Sequence, residues 1–499
     1  MTRRAAGRAR RTWGSAFATA VLAVGLVGFA PAEVRRDAPA VGETDLFNLE
    51  HVYNFNIEAS EWDLEAADHD VDEQGTDLEF FTTEVDGVAR DYAVVGGYSR
   101  GAYIFDITDP AATELAQFVP CAQPRNDVAV GQYEVDGDQR TFIGLSLQRG
   151  TVCAEAGPVV NDGPSGGFAF FDVTDPTQPA VGLGAVQVGF GGVHNLVFHP
   201  TEPLAYIWNG ALPGAVSSIP IVDFSDLSAI TVSEGPTTLG GPHDGELSPD
   251  GTRLYVASEN NYEIFDNTDP RNPVRIGAFT PNIGTYAHGY FPTPDGRLAI
   301  TNNESLALGG FFRANSGVCP GEGLAFYDTS DPGAVVAPLG YFAPPVQGQT
   351  DARACTSHFG RIADNNQVMT IGWYILGTRV IDFSDPSAPR EIGAATIADE
   401  EDDPTEGGSE AWSSKTYEGP YVYVGDLRRG FDVFRWSGPT CGPDHAAPGA
   451  WPWADGWTPD CVPDGRATLV EPTTAMAPDP RELEVRAPVG AGSGYSCAI

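Results

Sequence analysis

One short pattern recurs seven times along this chain: an apolar segment that ends in Asp and is usually followed by Ser or Thr and then Asp-Pro. The copies read YIFDITDP at 103–110, FFDVTDP at 170–176, PIVDFSD at 220–226, EIFDNTDP at 263–270, AFYDTSDP at 325–332, RVIDFSDP at 379–386 and a degenerate GFDVFRW at 430–436. The marker aspartates stand at positions 106, 172, 223, 266, 328, 382 and 432, so consecutive copies are 43 to 66 residues apart. This period is typical of a four-stranded propeller blade with loop insertions.

Each copy except the last lies within a set of four predicted strands, lettered A to D, with the marker aspartate on strand C. The Asp-Pro turn leads into strand D, such as PVRIGAF at 273–279, and strands A and B precede it, as in GELSPDGTRLYVAS at 245–258. The last copy lacks a strand D, whereas HVYNFNIEA at 51–59 is strand-like and precedes the first complete set. We therefore expect an all-β, seven-bladed β-propeller whose ring is closed by an N-terminal strand paired with the last blade, which removes exposed sheet edges.

The repeat resembles that of the LVIVD-repeat proteins, secreted propellers of bacteria and archaea, and VIDFSDPSAPREIG at 380–393 is the nearest copy. The resemblance covers about residues 51–437 and implies the propeller fold. It implies no activity and no site residues, because function depends on the site and not on the fold. Beyond the propeller, at 438–499, we expect an irregular, disulfide-containing extension rich in Pro, Gly and Ala.

The N-terminus is typical of an export signal. Several arginines precede an apolar run from Phe17 to Phe29, and Ala30-Pro31-Ala32 offers small residues for cleavage. We expect residues 1–32 to be a signal peptide and the mature protein to be secreted, because no other apolar stretch approaches the roughly 18–20 residues of a membrane-spanning helix.

The charge of the chain limits its partners. The 68 Asp and Glu residues outnumber the 28 Lys and Arg residues and give a formal net charge of −40, which disfavours nucleic acid as a partner. The expected partners are an extracellular protein, a polymer or a small-molecule ligand, and we expect the protein to be a monomer.

Seven cysteines in an exported chain predict disulfides, with one thiol left over. The B–C and D–A connections of a propeller blade lie on one face, and cysteines in such connections can pair there. The candidate pairs are Cys121 with Cys153, Cys319 with Cys355, and Cys441 with Cys461. Cys497 is the expected odd thiol. Two roles stay open for the first two pairs, since they either build walls around the channel mouth or only restrain long insertions.

Four of the eight histidines occupy one equivalent position, the start of the innermost strand A, in blades three to six: His194, His243, His288 and His358. Acidic and amide residues are expected at or near this position elsewhere: Asp77 in blade one, Asn126 and Asp127 in blade two, and Glu410 in blade seven. If these strands converge at one channel mouth, three or four imidazole nitrogens at about 2.0–2.2 Å suit a transition metal, namely Zn, Cu or Fe. Glu410 would complete or support such a shell.

Three interpretations of these histidines stay open. Each imidazole can hydrogen-bond the neighbouring blade, which explains the recurrence without a metal. The histidines can instead bind a metal ion, or an organic ligand at the channel mouth. The acidic run at 399–403 offers oxygens for Ca²⁺ but lacks the spacing of a dedicated calcium loop, so Ca²⁺ is the less favoured ion. His199 is expected at the surface.

The chain contains no nucleophile elbow, Walker loop, dinucleotide-binding glycine motif or HExxH motif. Two functions therefore stay open. The first is an extracellular binding or surface-interaction module that acts through the loops around its channel mouth. The alternative is a metal-dependent, oxidoreductase-like enzyme that uses the channel histidines, with Glu410 as a supporting group or a base.

Overall fold

The computed structural model describes residue 39 and residues 43–57, 75–98, 100–121, 127–135, 137–147, 153–160, 166–188, 192–209, 217–258, 260–281, 287–304, 323–335, 337–346, 355–398, 408–440, 450–459, 462 and 465–466. The chain divides into two compact units, residues 1–32 and 33–499, and every described residue belongs to the second. The predicted signal peptide therefore lies outside the described residues. Within them, no helix is long and apolar enough to cross a membrane.

The described residues form 30 strands. In chain order they are β1 (Asp45–Phe47), β2 (Leu49–Phe55), β3 (Gly75–Val85), β4 (Val88–Gly97), β5 (Gly101–Asp106), β6 (Glu114–Pro120), β7 (Val128–Val135), β8 (Asp138–Leu147), β9 (Val159–Val160), β10 (Gly167–Asp172), β11 (Val181–Gln187), β12 (Asn195–Phe198), β13 (Leu204–Trp208), β14 (Ile221–Asp223), β15 (Thr231–Ser233), β16 (Pro242–Leu247), β17 (Arg253–Ser258), β18 (Asn261–Asp266), β19 (Val274–Phe279), β20 (Ala287–Pro292), β21 (Leu298–Asn303), β22 (Leu324–Asp328), β23 (Gly340–Phe342), β24 (Phe359–Ile362), β25 (Val368–Gly372), β26 (Thr378–Asp382), β27 (Arg390–Thr396), β28 (Ala411–Thr416), β29 (Tyr421–Asp426) and β30 (Gly430–Trp436). Three short 3-10 helices span Pro110–Ala112, Ala154–Ala156 and Pro332–Ala334.

Across the described part of the chain these strands build seven antiparallel blades. Blade one is β3–β6, and blade two consists of β7, β8, β10 and β11. Blades three to six are β12–β15, β16–β19, β20–β23 and β24–β27, respectively. Blade seven is β28–β30 completed by β2, and the short β9 adds to blade two in parallel. The all-β, seven-bladed propeller predicted from the repeat is confirmed.

Short-range hydrogen bonds made by the marker aspartate stabilise the turn that follows strand C. In blade four, Asp266 Oδ1 accepts from the backbone N–H of Thr268 at 3.0 Å and from its hydroxyl at 2.8 Å. In blade three, Asp223 Oδ1 accepts from Ser225 in the same way, at 3.0 and 2.6 Å. Side chains of Asp commonly stabilise turns by accepting from the backbone two residues on. The recurring aspartate therefore fixes where strand C stops and strand D begins.

The N-terminal strand closes the ring. β2 pairs antiparallel with β30, from Leu49 opposite Trp436 to Phe55 opposite Phe431, so the predicted closure is confirmed. The structure adds one strand that the sequence pattern did not indicate, since β1 pairs with β27 at the outer edge of blade six.

One buried carboxylate joins the two ends of the ring. Asp432 lies on β30 with its side chain only 2% exposed, and its Oδ1 accepts hydrogen bonds from His51 Nε2 at 2.7 Å and Asn54 Nδ2 at 2.9 Å. Its Oδ2 accepts from Arg429 Nε at 2.8 Å. Strand β2 is thus held by side chains as well as by its backbone pairing.

The described part of the C-terminal extension packs on blades six and seven. Trp453, Trp457 and Val462 are buried in one apolar cluster with side chains of these blades. Arg466 forms an isolated bridge with Glu391 of β27. The predicted Cys441–Cys461 disulfide and Cys497 lie outside the described residues.

Candidate metal centre

The four histidines expected at the channel mouth lie side by side. His243 and His288 are within β16 and β20, and His194 and His358 immediately precede β12 and β24. Their ring centroids are 4.6 Å apart for His194 and His243, 4.4 Å for His243 and His288, and 4.3 Å for His288 and His358. All four side chains are buried. The structure therefore brings the equivalent positions of four consecutive blades into one cluster.

A carboxylate that the sequence analysis did not identify belongs to this cluster. Glu304 follows β21 of blade five, and its ligand atoms lie within 4.8 Å of those of His243 and His288. Glu304 Oε2 is 3.5 Å from His288 Nε2, and Glu304 Oε1 is 3.7 Å from His358 Nε2. The sequence signal for this residue is weak: a polar run, Asn302-Asn303-Glu304, ends an otherwise apolar strand B.

Hydrogen bonds between blades set the tautomers of two of the histidines. His243 Nδ1 lies 3.3 Å from the His288 carbonyl oxygen, and His358 Nδ1 lies 2.9 Å from the Trp412 carbonyl oxygen. Because a carbonyl oxygen only accepts, both Nδ1 atoms donate, and in the neutral imidazole the lone pair is then on Nε2. These are the bonds that the structural interpretation anticipated. In metal sites, ligating histidines are commonly oriented in this way through the other nitrogen.

His288 is in a different situation. Its side chain is fully buried, and neither ring nitrogen makes a hydrogen bond of standard geometry within the described residues, the 3.5 Å approach of Glu304 Oε2 to Nε2 being longer than such a bond. Burial, followed by the neighbouring imidazoles, lowers the pKa of His288 well below its ordinary value, so the ring is neutral. A buried polar group without a partner costs about 1–3 kcal/mol. A metal ion on Nε2 would satisfy that nitrogen and leave only Nδ1 without a partner within the described residues.

Glu410 precedes strand A of blade seven, as expected from the repeat. Its backbone N–H donates to Asp426 Oδ2 at 2.9 Å. The carboxylate grouped with His243 and His288 is that of Glu304, so the role of Glu410 in a metal shell stays a prediction.

Asp77 and Asp127, both predicted at the channel mouth, are buried. They border a cavity of about 240 Å³ together with Asp244, Glu246 and Lys415. Lys415 Nζ donates to Asp77 Oδ2 at 3.0 Å across the junction of blades seven and one. Burial, and then the charge of Asp77, raise the pKa of Asp127 well above its usual range. The third residue predicted at the mouth, Asn126, lies outside the described residues.

The disulfide predicted between Cys121 and Cys153 is present. It ties the connection between blades one and two to an insertion within blade two. Cys355 is also disulfide-bonded, and its predicted partner Cys319 lies outside the described residues.

His199 is buried, so the prediction of a surface position was wrong. Its Nδ1 accepts from the backbone N–H groups of Thr201 at 3.2 Å and Glu202 at 3.0 Å, and its Nε2 lies 3.2 Å from the Gly251 carbonyl oxygen. The imidazole stabilises the turn after β12 and is covered by the hairpin of the next blade, which a single-blade pattern does not reveal.

Comparison with known proteins found similarity only among solved structures. No family model and no curated protein matches it. Among solved structures, it is similar to a protein from Lactobacillus plantarum, with a TM-score of 0.46 and 14% identity over 70% of this chain and 88% of that one. It is also similar to the β-propeller domain of Cps50 (Swd1) from Myceliophteria thermophila, with a TM-score of 0.46 and 10% identity over 73% of this chain and 97% of that one. The seven-bladed assignment comes from the chain's own sheet topology, and the chain is a β-propeller whose LVIVD-repeat resemblance stays a prediction from its motif.

Proposed function

We propose that this protein is an exported propeller that binds one transition-metal ion at the mouth of its channel, with His243, His288 and Glu304 as ligands. The observation that carries the proposal is the buried group itself, whose ligand atoms all lie within 4.8 Å of one another. The fully buried His288, which makes no hydrogen bond of standard geometry within the described residues, supports it further. Export rests on the N-terminal sequence pattern.

The donor set favours a particular class of ion. Imidazole nitrogens suit Zn, Cu and Fe, whereas Ca²⁺ takes six to eight oxygen ligands. Three protein ligands with a further position open are the arrangement of catalytic zinc sites, and two histidines with one carboxylate also serve non-haem iron. The bound ion would polarise a small ligand or water at that position. The proposed class of activity is therefore metal-dependent chemistry on a small molecule that enters the channel mouth.

A second function, binding of an extracellular partner through the loops around the mouth, is supported by the Cys121–Cys153 disulfide. In an up-and-down blade, the connections that this disulfide joins lie on the face where strand A begins, which is the face of the histidines. A loop fixed on a rigid scaffold suits recognition.

Metal titration separates the two functions. Chelator-treated wild-type protein is titrated with Zn²⁺, Cu²⁺ and Co²⁺ in a calorimeter beside His243→Ala and His199→Ala. We expect one site per chain in the wild type, binding at least about 100-fold weaker in His243→Ala, and wild-type affinity in His199→Ala, whose contacts lie elsewhere. Absence of binding in folded wild-type protein, or equal affinity in both variants, would overturn the metal proposal and leave loop-mediated binding.

A further inference from the structure

We propose that Tyr374 is a positioning residue of the metal centre. Its hydroxyl hydrogen-bonds Glu304 Oε1, so that only Oε2 is directed at the ion. The inference rests on the proposed metal function and adds a residue to it. Three independent features of Tyr374 support it: the contact of its hydroxyl, the conformation of its backbone and the packing of its ring.

The two oxygens of Glu304 have different neighbours. The Tyr374 hydroxyl donates to Glu304 Oε1 at 2.7 Å. The other oxygen, Oε2, is the one that lies 3.5 Å from His288 Nε2. A carboxylate oxygen that accepts a strong hydrogen bond is a poorer metal ligand, and such bonds orient ligating carboxylates in metal sites. Tyr374 therefore favours a carboxylate that binds through one oxygen.

The backbone of Tyr374 is held in a strained conformation. Its φ is 35°, in the left-handed region that bulky residues rarely adopt. Such conformations persist only where the surroundings impose them, and they cluster at functional sites. Here Tyr374 N–H donates to the Ala411 carbonyl at 3.0 Å, and Ala411 N–H donates to the Tyr374 carbonyl at 2.9 Å. Strand A of blade seven thus fixes the backbone of a residue whose side chain contacts Glu304 of blade five.

The aromatic ring is fixed as well. Its centroid is 5.1 Å from that of His358 and 6.0 Å from that of Trp412, both in edge-to-face geometry. The side chain is 3% exposed. The ring of Tyr374 would pack here whether or not the hydroxyl positions Glu304. Only a substitution that removes the hydroxyl and keeps the ring therefore separates these two roles.

Tyr374→Phe makes this change, since it keeps the ring, the packing and the backbone conformation. The full chain, treated with chelator, is titrated with Co²⁺ while its visible absorption is recorded. We expect affinity about 10–100-fold weaker than wild type, because Glu304 is no longer oriented toward the ion and this loss exceeds the gain from a second carboxylate oxygen. We also expect weaker visible bands, because Glu304 Oε1 is released to join the ion and a higher coordination number lowers cobalt absorption.

The matched control is Tyr327→Phe. Tyr327 is a buried tyrosine of blade five whose hydroxyl has no hydrogen-bond partner within the described residues. This variant should keep the wild-type affinity and spectrum. If Tyr374→Phe also keeps both, the positioning role is wrong and the metal proposal stands. If folded wild-type protein binds no Co²⁺, the metal proposal fails and the positioning role fails with it.

Discussion

The variant His288→Leu is expected to lose metal binding without any loss of stability in the metal-free protein. The buried imidazole makes no hydrogen bond of standard geometry within the described residues. Leucine replaces this unsatisfied polar group and avoids its desolvation cost of about 1–3 kcal/mol. The same change removes a ligand. At a free metal concentration about 1,000 times the dissociation constant, binding stabilises the wild type by about 4 kcal/mol, and the variant should show none of this stabilisation. Thermal unfolding with and without Zn²⁺ measures both effects.

The matched control, His199→Leu, is expected to behave in the opposite way. It removes the acceptor of two partly buried hydrogen bonds, those from the backbone N–H groups of Thr201 and Glu202, so the metal-free protein should lose about 1–3 kcal/mol. The stabilisation by metal should remain. A His288→Leu protein that is less stable than wild type and still responds fully to Zn²⁺ would show that His288 is purely structural.

The largest expected loss of stability comes from Asp432→Ala, which removes the carboxylate that joins the two ends of the ring. Arg429 is buried and loses this carboxylate partner, and His51 and Asn54 of β2 each lose a hydrogen bond to it. Breaking a buried ion pair on one side typically costs about 3–5 kcal/mol. Urea unfolding followed by circular dichroism measures the change.

Asp328→Ala is the control, because Asp328 is the exposed marker aspartate of blade five and, in the part of the chain that the structure describes, accepts only from Ser330 of its own turn. We expect a loss of about 1 kcal/mol or less there. Equal losses in the two variants would mean that the contacts of Asp432 with β2 add nothing to ring closure.

The contribution of Asp432 also depends on pH. Burial acts to raise the pKa of Asp432, but the hydrogen bond from His51 and the charge of Arg429 outweigh it, so the pKa lies below its ordinary value. A lowered pKa in the folded state stabilises the protein above the unfolded pKa of about 4, and this contribution is lost as the pH falls through the folded value. Below pH of about 4 the wild type should therefore lose more stability than Asp432→Ala.

Most of the fold follows from local sequence signals. The turn after the marker aspartate, such as Asp266, is a short-range hydrogen-bonded motif in six of the seven copies, and the degenerate seventh copy completes the count of blades. The closing strand β2 was predictable because the last set lacks a strand D. Strand β1 was not, because three residues carry no periodicity and their pairing depends on the free edge of β27.

The site was predictable only in part. Four histidines at one repeat position indicate a cluster, and the structure places their rings together. Glu304 and Tyr374 come from the end of a strand B and from a B–C turn, outside the aligned position, and they meet only because neighbouring blades converge. The backbone strain of Tyr374 leaves no mark in the sequence, since it is imposed by Ala411 of the next blade.

Elemental analysis of the exported protein, purified without chelator, tests the central claim most directly when Glu304→Gln is prepared in parallel. We expect close to one Zn, Cu or Fe per chain in the wild type and a clear loss in the variant, since an amide oxygen is a much weaker ligand for these ions than a carboxylate. Folded wild-type protein without such a metal, or equal metal content in the two proteins, would contradict the assignment of His243, His288 and Glu304 as a metal centre.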